Sequence, residues 1–294
     1  MHLLVADSDG RTLSAVDDES TRLRLGAEVA QGGALDRGKV RLAVQTVRGY
    51  VARAQQLRCR TICLVGTQAV RSASNGAELA QDVKAATGLP LHVIEPAEEA
   101  RLGLLGTTLD TPDERVRLVI DMGGGSTQLT LAEGTQSHFL QSLPIGSVGL
   151  PMRFIKHDPP RKAERDSMEL AVHQAVGVLN VHPAHQRAVH AEYGVVVGGV
   201  GRRLGRAGRL QPAEPLVRLW IDRLAGVVMG VSAEAMEVFG AARFEDADMI
   251  RAGAIILREV MATYGLQYCV VSNFGIREGA VLALARGEAI ARGN

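Results

Sequence analysis

The chain has 294 residues, sets 33 Lys and Arg against 32 Asp and Glu for a net charge of +1, and takes only 3% of its residues from Phe, Trp and Tyr. That length suggests about two domains, and the charge balance gives no global pull toward DNA, RNA or an anionic membrane. So few aromatics leave an aliphatic core and argue against recognition by base stacking.

The cysteines, Cys59, Cys63 and Cys269, are odd in number and form no Cys-x-x-Cys pair, so neither a disulfide framework nor a thiolate zinc site is indicated. No apolar run reaches the length of a membrane span, and the first residues lack a basic stretch followed by an apolar one. The expectation is a soluble, cytoplasmic protein. Arginine outnumbers lysine, which suits bidentate phosphate contacts but is better explained by a GC-rich genome.

In chain order, Met1 to Ala6 reads as a strand, Ser8-Asp-Gly-Arg as a turn and Thr12 to Val16 as a second strand; alternation in Thr21-Arg-Leu-Arg-Leu-Gly predicts a third toward Arg22 to Leu25. From Asp36 to about Leu57 the apolar spacing turns helical, with Val40, Ala43, Val44, Val47 and Val51 on one face and Asp36 placed to cap. Arg60 to Gly66 is a strand running into the polar segment Thr67 to Gly76, which contains Arg71. An α/β sheet places its ligands at such a strand end. A helix to about Thr87, a strand over Leu91 to Ile94 and a helix opened by Pro96-Ala-Glu-Glu-Ala-Arg-Leu follow. Acids in a first helical turn are favoured by the macrodipole, and this alone explains Glu98 and Glu99.

Thr108 to Glu114 is polar, contains Pro112 and marks a domain boundary. Beyond it Leu118-Val-Ile-Asp-Met-Gly-Gly-Gly-Ser-Thr-Gln-Leu-Thr-Leu is two strands around a glycine hairpin. Gly123, Gly124 and Gly125 present no Cβ, so backbone N–H groups can converge on an anion, while Ser126 and Thr127 add hydroxyls. Asp121 would repel bare phosphate, which makes sense if a hydrated divalent cation lies between them. A hairpin with no ligand explains three glycines equally well. Ser142 to Leu150 reads as a strand ending in a loop, Asp158-Pro-Pro as a break and Ala163 to Leu179 as a helix. His182, His185 and His190 follow without a carboxylate or cysteine to complete a metal site, so a solvated helix end is expected.

Tyr193 to Val197 is a buried strand feeding Gly198-Gly-Val-Gly, a second glycine turn able to approach a phosphate. Helices are predicted over Glu214 to Ala225, Ser232 to Val238 and Ala247 to Tyr264. A last strand, Gln267 to Ser272, precedes a terminal helix through Ala285.

This order resembles the actin, Hsp70 and sugar-kinase superfold, and within it the exopolyphosphatase and guanosine pentaphosphate phosphohydrolase family. The carriers are Arg22-Leu-Arg-Leu-Gly, Gly66-Thr-Gln-Ala-Val-Arg-Ser-Ala-Ser-Asn, Glu98-Glu-Ala-Arg-Leu, Asp121-Met-Gly-Gly-Gly-Ser-Thr, Ser142-Leu-Pro-Ile-Gly-Ser-Val, Ala247-Asp-Met-Ile-Arg-Ala-Gly-Ala and Gly275-Ile-Arg-Glu-Gly. The resemblance implies a two-domain α/β, actin-like (ribonuclease H-like) fold with a cleft between residues 1–112 and 113–294, the terminal helix returning to the first domain. It implies hydrolysis of terminal phosphate from polyphosphate or guanosine pentaphosphate. Glu99, rather than Glu98, would activate water; Arg71 would grip a phosphoryl group; Gly123 to Thr127 would hold phosphate oxygens, with Gly198 and Gly199 in the second turn. Asp121 and Gln128 would face magnesium or another divalent cation. A homodimer is compatible with the resemblance, and a sugar or acetate kinase is disfavoured by Glu98-Glu-Ala-Arg-Leu.

Two departures qualify the match. Family members open with a strand ending in Asp-x-Gly-Ser/Thr-Asn-Ser, the first phosphate loop, before a segment like His2-Leu-Leu-Val. Met1 sits where that loop would join, so the expectation is a start placed late or a truncation. Gln128 stands where the family motif continues with glutamate, and an amide holds a hard cation less well. A binding protein for polyphosphate or alarmone without turnover is therefore the alternative.

Overall fold

A computed structural model of the chain describes residues 1–112, 114–177, 191–211 and 214–291, with the side chains of residues 30 and 31 left out. The chain divides into two compact units, Met1–Leu109 with Ile276–Asn294, and Asp110–Gly275. No helix among the described residues is long and apolar enough to cross a membrane.

The first unit opens with strands β1 (His2–Ser8) and β2 (Leu13–Ser20), an antiparallel hairpin running from His2 opposite Ser20 to Ser8 opposite Leu13, with a bulge at Val5/Ala6. Asp9 ties its turn by accepting from the N–H groups of Arg11 and Thr12 at 2.8 and 2.7 Å. The strand expected at Arg22 to Leu25 does not form. Arg24 is left-handed (φ 55°) and leads instead into a helix, Leu25–Gly32. Two alternations around the buried Leu23 mimic a strand, but the Leu23 carbonyl accepts from Lys39 Nζ (2.9 Å) rather than from a neighbouring strand.

Helix Arg37–Gln56 forms as the periodicity requires: Val40, Ala43, Val47, Val51 and Ala54 are buried, and the Asp36 carboxylate accepts from Lys39 N at 2.7 Å. β3 (Leu64–Gly66) and β4 (Leu91–Val93) pair in parallel, with helices Gln68–Arg71 and Gly76–Thr87 between them. Helix Pro96–Thr107 then packs against the C-terminal helix Ile276–Ala285, and Ile94, Leu102, Leu105, Leu282, Ala283 and Ile290 close a shared core. Gly279 sets this approach. A Cβ there would lie 2.7 Å from the Leu102 carbonyl carbon and 3.0 Å from Gly106 N.

Among the described residues the second unit carries a six-stranded mixed sheet. β5 (Arg117–Met122), β6 (Thr127–Glu133) and β7 (Gln136–Leu143) form an antiparallel meander, β8 (Tyr193–Val197) lies parallel to β5, and β9 (Leu216–Val217) and β10 (Tyr268–Ser272) complete the order β7-β6-β5-β8-β10-β9. Leu118, Ile120, Leu129, Leu131 and Val196 feed one aliphatic core with helix Ala247–Thr263. The helix expected from Glu214 begins only at Arg218. Pro215 lacks an N–H and biases its predecessor to extended backbone, and Leu216 pairs with Cys269 as an edge strand. A short helix, Gly149–Phe154, also occupies part of the loop expected after Ser142. His182, His185 and His190 lie outside the described residues.

Arg251, 1% exposed, fixes the far side of this unit. It donates to the Val228 and Val231 carbonyls at 3.0 and 2.7 Å and to Asp248 and Asp158 at 2.8 and 2.6 Å, while Asp158 accepts the Ala233 N–H.

Candidate active site

Two groups of the predicted residues come together, one in each unit. In the first, Glu98 and Glu99 share the opening turn of helix Pro96–Thr107 and are both buried, at 8% and 6% exposure. Their partners separate them. Glu98 takes a two-pronged bond from Arg101, Nε to Oε2 and Nη2 to Oε1 at 2.8 Å each, and accepts the Ala291 N–H at 3.1 Å. These bonds hold its carboxyl below the usual range, Arg101 contributing most. Arg101 reaches on to Glu288 at 2.8 Å.

Glu99 meets Arg71 more loosely, Oε2 lying 3.4 and 3.5 Å from Nη1 and Nη2. Arg71 is oriented by the Ile94 carbonyl, to which Nη1 also donates. Burial pushes the Glu99 carboxyl above its ordinary value, against the opposing pull of Arg71. One glutamate is thus saturated by structural partners, while its neighbour is a desolvated, more basic carboxylate beside a guanidinium.

The second group is the glycine hairpin. Gly123 N donates to Ser126 O at 2.9 Å, which closes the turn, and the N–H groups of Gly124 and Gly125 have no protein partner among the described residues. The loop after β7 buttresses it: Ser147 N donates to Gly123 O, and Val148 N and Gly149 N to Gly124 O, each at 2.9 Å. Gly146 permits the contact, since a Cβ there would stand 2.5 Å from Gly125 N. This buttress escaped sequence reasoning apart from the Pro-Ile-Gly-Ser-Val string. Thr127 Oγ1 donates to Ile145 O (2.8 Å), so this hydroxyl braces the hairpin from inside.

Asp121 and Gln128 face one another across β5 and β6, which puts their side chains on the same face of the sheet. Gln128 is 2% exposed, and its Nε2 donates to Ser126 Oγ at 2.8 Å. Gly198, at φ 90°, brings the second turn beside Asp121; a Cβ there would lie 3.7 Å from Oδ1. Gly199 instead packs beneath Arg203, which donates to its carbonyl at 3.1 Å. Among the described residues no three His, Cys, Asp or Glu side chains cluster as a metal cage. Asp121 offers one carboxylate on this face, and magnesium is commonly bound through one or two carboxylates together with substrate phosphates.

The fold is the mixed α/β one, in two compact units, that the motif order implies. The chain belongs to the Ppx/GppA phosphatase family, whose sequence model matches residues 4–288. Among solved structures, the Ppx/GppA family member of Aquifex aeolicus is 25% identical, covers 97% of this chain and 94% of its own, and superposes with a TM-score of 0.82. An exopolyphosphatase from Cytophaga hutchinsonii shares the fold at 21% identity, covering 99% and 96% of the two chains with a TM-score of 0.85.

Proposed function

We propose that the chain is an exopolyphosphatase-like phosphohydrolase, removing the terminal phosphate of inorganic polyphosphate or guanosine pentaphosphate. Glu99 carries this reading: it is buried, more basic than an ordinary carboxylate, and beside Arg71, while Glu98 is occupied by Arg101. In this reading Glu99 accepts a proton as water forms its bond to the terminal phosphorus, the bridging P–O bond breaks, and the shortened chain leaves as an anion. Arg71, beside Glu99 in the same unit, offsets charge on the phosphoryl oxygens; in the second unit the Gly124 and Gly125 N–H groups are donors suited to phosphate oxygens. A divalent cation, when bound by Asp121 and Gln128, would supply further neutralisation.

Gln128 favours a second reading, in which the protein binds polyphosphate or the alarmone without turnover, because its amide supplies no charge toward a cation. Phosphate release from polyphosphate, without any nucleotide acceptor, distinguishes the two. Release that vanishes in Glu99→Gln supports hydrolysis, and binding without release supports the second reading.

A further inference from the structure

From Arg37 to Ala77 the chain carries no Asp or Glu, although acids and bases balance over the whole sequence. Within helix Arg37–Gln56 itself no acid accompanies the cations. Lys39 is engaged by the Leu23 carbonyl and Arg53 by Asp17. Arg37, Arg41 and Arg48 are exposed and have no hydrogen bond or ion pair among the described residues. At about 100° per residue they fall within roughly 40° of one another, and the stripe extends for about 16 Å at the helical rise. Arg37 opens the helix directly after the Asp36 cap.

The stripe begins two residues after Leu35, which is bonded to the segment that follows Arg71. Asn75, four residues past Arg71, accepts the Leu35 N–H at 2.9 Å and donates to the Leu35 carbonyl at 2.8 Å, while Ser74 N donates to Gly33 O at 2.8 Å. The segment bearing Arg71 is thus stitched to the chain immediately before Arg37.

We propose that Arg37, Arg41 and Arg48 form a cationic track holding the distal part of a long polyphosphate chain, so that unit 1 grips the polymer well away from the reacting phosphate. The track deepens the phosphohydrolase reading, on which it rests for the position of the chain end. Single-stranded nucleic acid fits less well, because the stripe contains no aromatic side chain for bases to stack upon.

The test compares the parent with Arg37→Gln/Arg41→Gln/Arg48→Gln and with the corresponding triple Lys variant. Equilibrium binding of long-chain polyphosphate and of tripolyphosphate is measured across a salt series, alongside phosphate release. The triple Gln variant should bind the long chain at least tenfold more weakly, with a salt dependence shallower by about two logarithmic units, three contacts at about 0.7 each. KM for the long chain should rise with kcat little changed, tripolyphosphate should be unaffected, and the Lys variant should retain most of the affinity. Unchanged long-chain binding in the Gln variant, an equal loss for tripolyphosphate, or equal competition by an oligonucleotide of matched length would overturn the track. A parent that binds long chains in this charge-dependent way but releases no phosphate would refute the hydrolase reading and leave the track standing; a parent that binds none refutes both.

Discussion

Gly279→Ala tests how the helix bearing Glu98 and Glu99 is held. On an ordinary helix this change stabilises by about 1 kcal/mol, because glycine is the poorer helix former. Here the new methyl would lie 2.7 Å from the Leu102 carbonyl carbon and 3.0 Å from Gly106 N. Carbon atoms prefer about 3.5–4.0 Å and the Leu102 carbonyl oxygen stands closer still, so helices Ile276–Ala285 and Pro96–Thr107 must part by more than about 1 Å. Both obstacles are backbone and cannot rotate aside. Overpacking of this kind costs about 1–3 kcal/mol, occasionally more, and at this distance it outweighs the propensity gain. A net loss of about 2 kcal/mol should lower the melting temperature of the first unit by roughly 5–10 °C. A 1 Å shift of Glu99 should also reduce phosphate release by about a hundredfold. Calorimetry of parent and variant decides the matter: a melting temperature equal to or above the parent's would refute the close packing and the hold on Glu99 derived from it.

The two glutamates should titrate with opposite signs. Burial raises Glu99, so the parent's stability is fully present below the ordinary glutamate range and falls as pH rises through the raised folded value; Glu99→Gln should be the more stable protein at neutral pH and lose that advantage in acid, as urea midpoints across pH would show. Glu98 is depressed, so its contribution is present above the ordinary range and lost as pH falls; Glu98→Gln should be destabilised at neutral pH by about 1–2 kcal/mol, discounted for the exposed Arg101, with the difference closing in acid. Gln128→Glu places a carboxylate opposite Asp121, so without divalent cation it should melt lower than the parent, gain more from magnesium, and need less magnesium for phosphate release. Equal magnesium titrations by both readouts would place Gln128 outside the cation's reach. Arg251→Met strands Asp158 beside the Ala233 N–H and empties the Val228 and Val231 carbonyls, so the second unit should lose about 3–5 kcal/mol in denaturant titration.

Much of the fold was legible because single local signals agreed. Asp36 caps the helix whose apolar spacing marks Val40 to Ala54 as its buried face, and the glycine hairpin lies where two strand patterns meet. Arg22 to Leu25 misled because two alternations are too few to separate a strand from an extended lead into a helix, and the left-handed Arg24 leaves no mark in an arginine codon. Leu216 joined the sheet through Cys269, more than fifty positions later, which no local pattern contains. The glutamates show the same limit at the site. Spacing puts both in one helical turn, and only the resemblance preferred Glu99; their physical difference comes from Arg101 one turn on and from Ala291 at the other end of the chain.

The most direct measurement is the rate of phosphate release from long-chain polyphosphate by the parent and by Glu99→Gln, followed across pH with folding verified by circular dichroism. A parent rate that rises with pH as Glu99 loses its proton, and that falls by about a hundredfold or more in Glu99→Gln, is the predicted result. A correctly folded Glu99→Gln that releases phosphate at the parent rate and with the parent pH profile would contradict the assignment of Glu99 as the base.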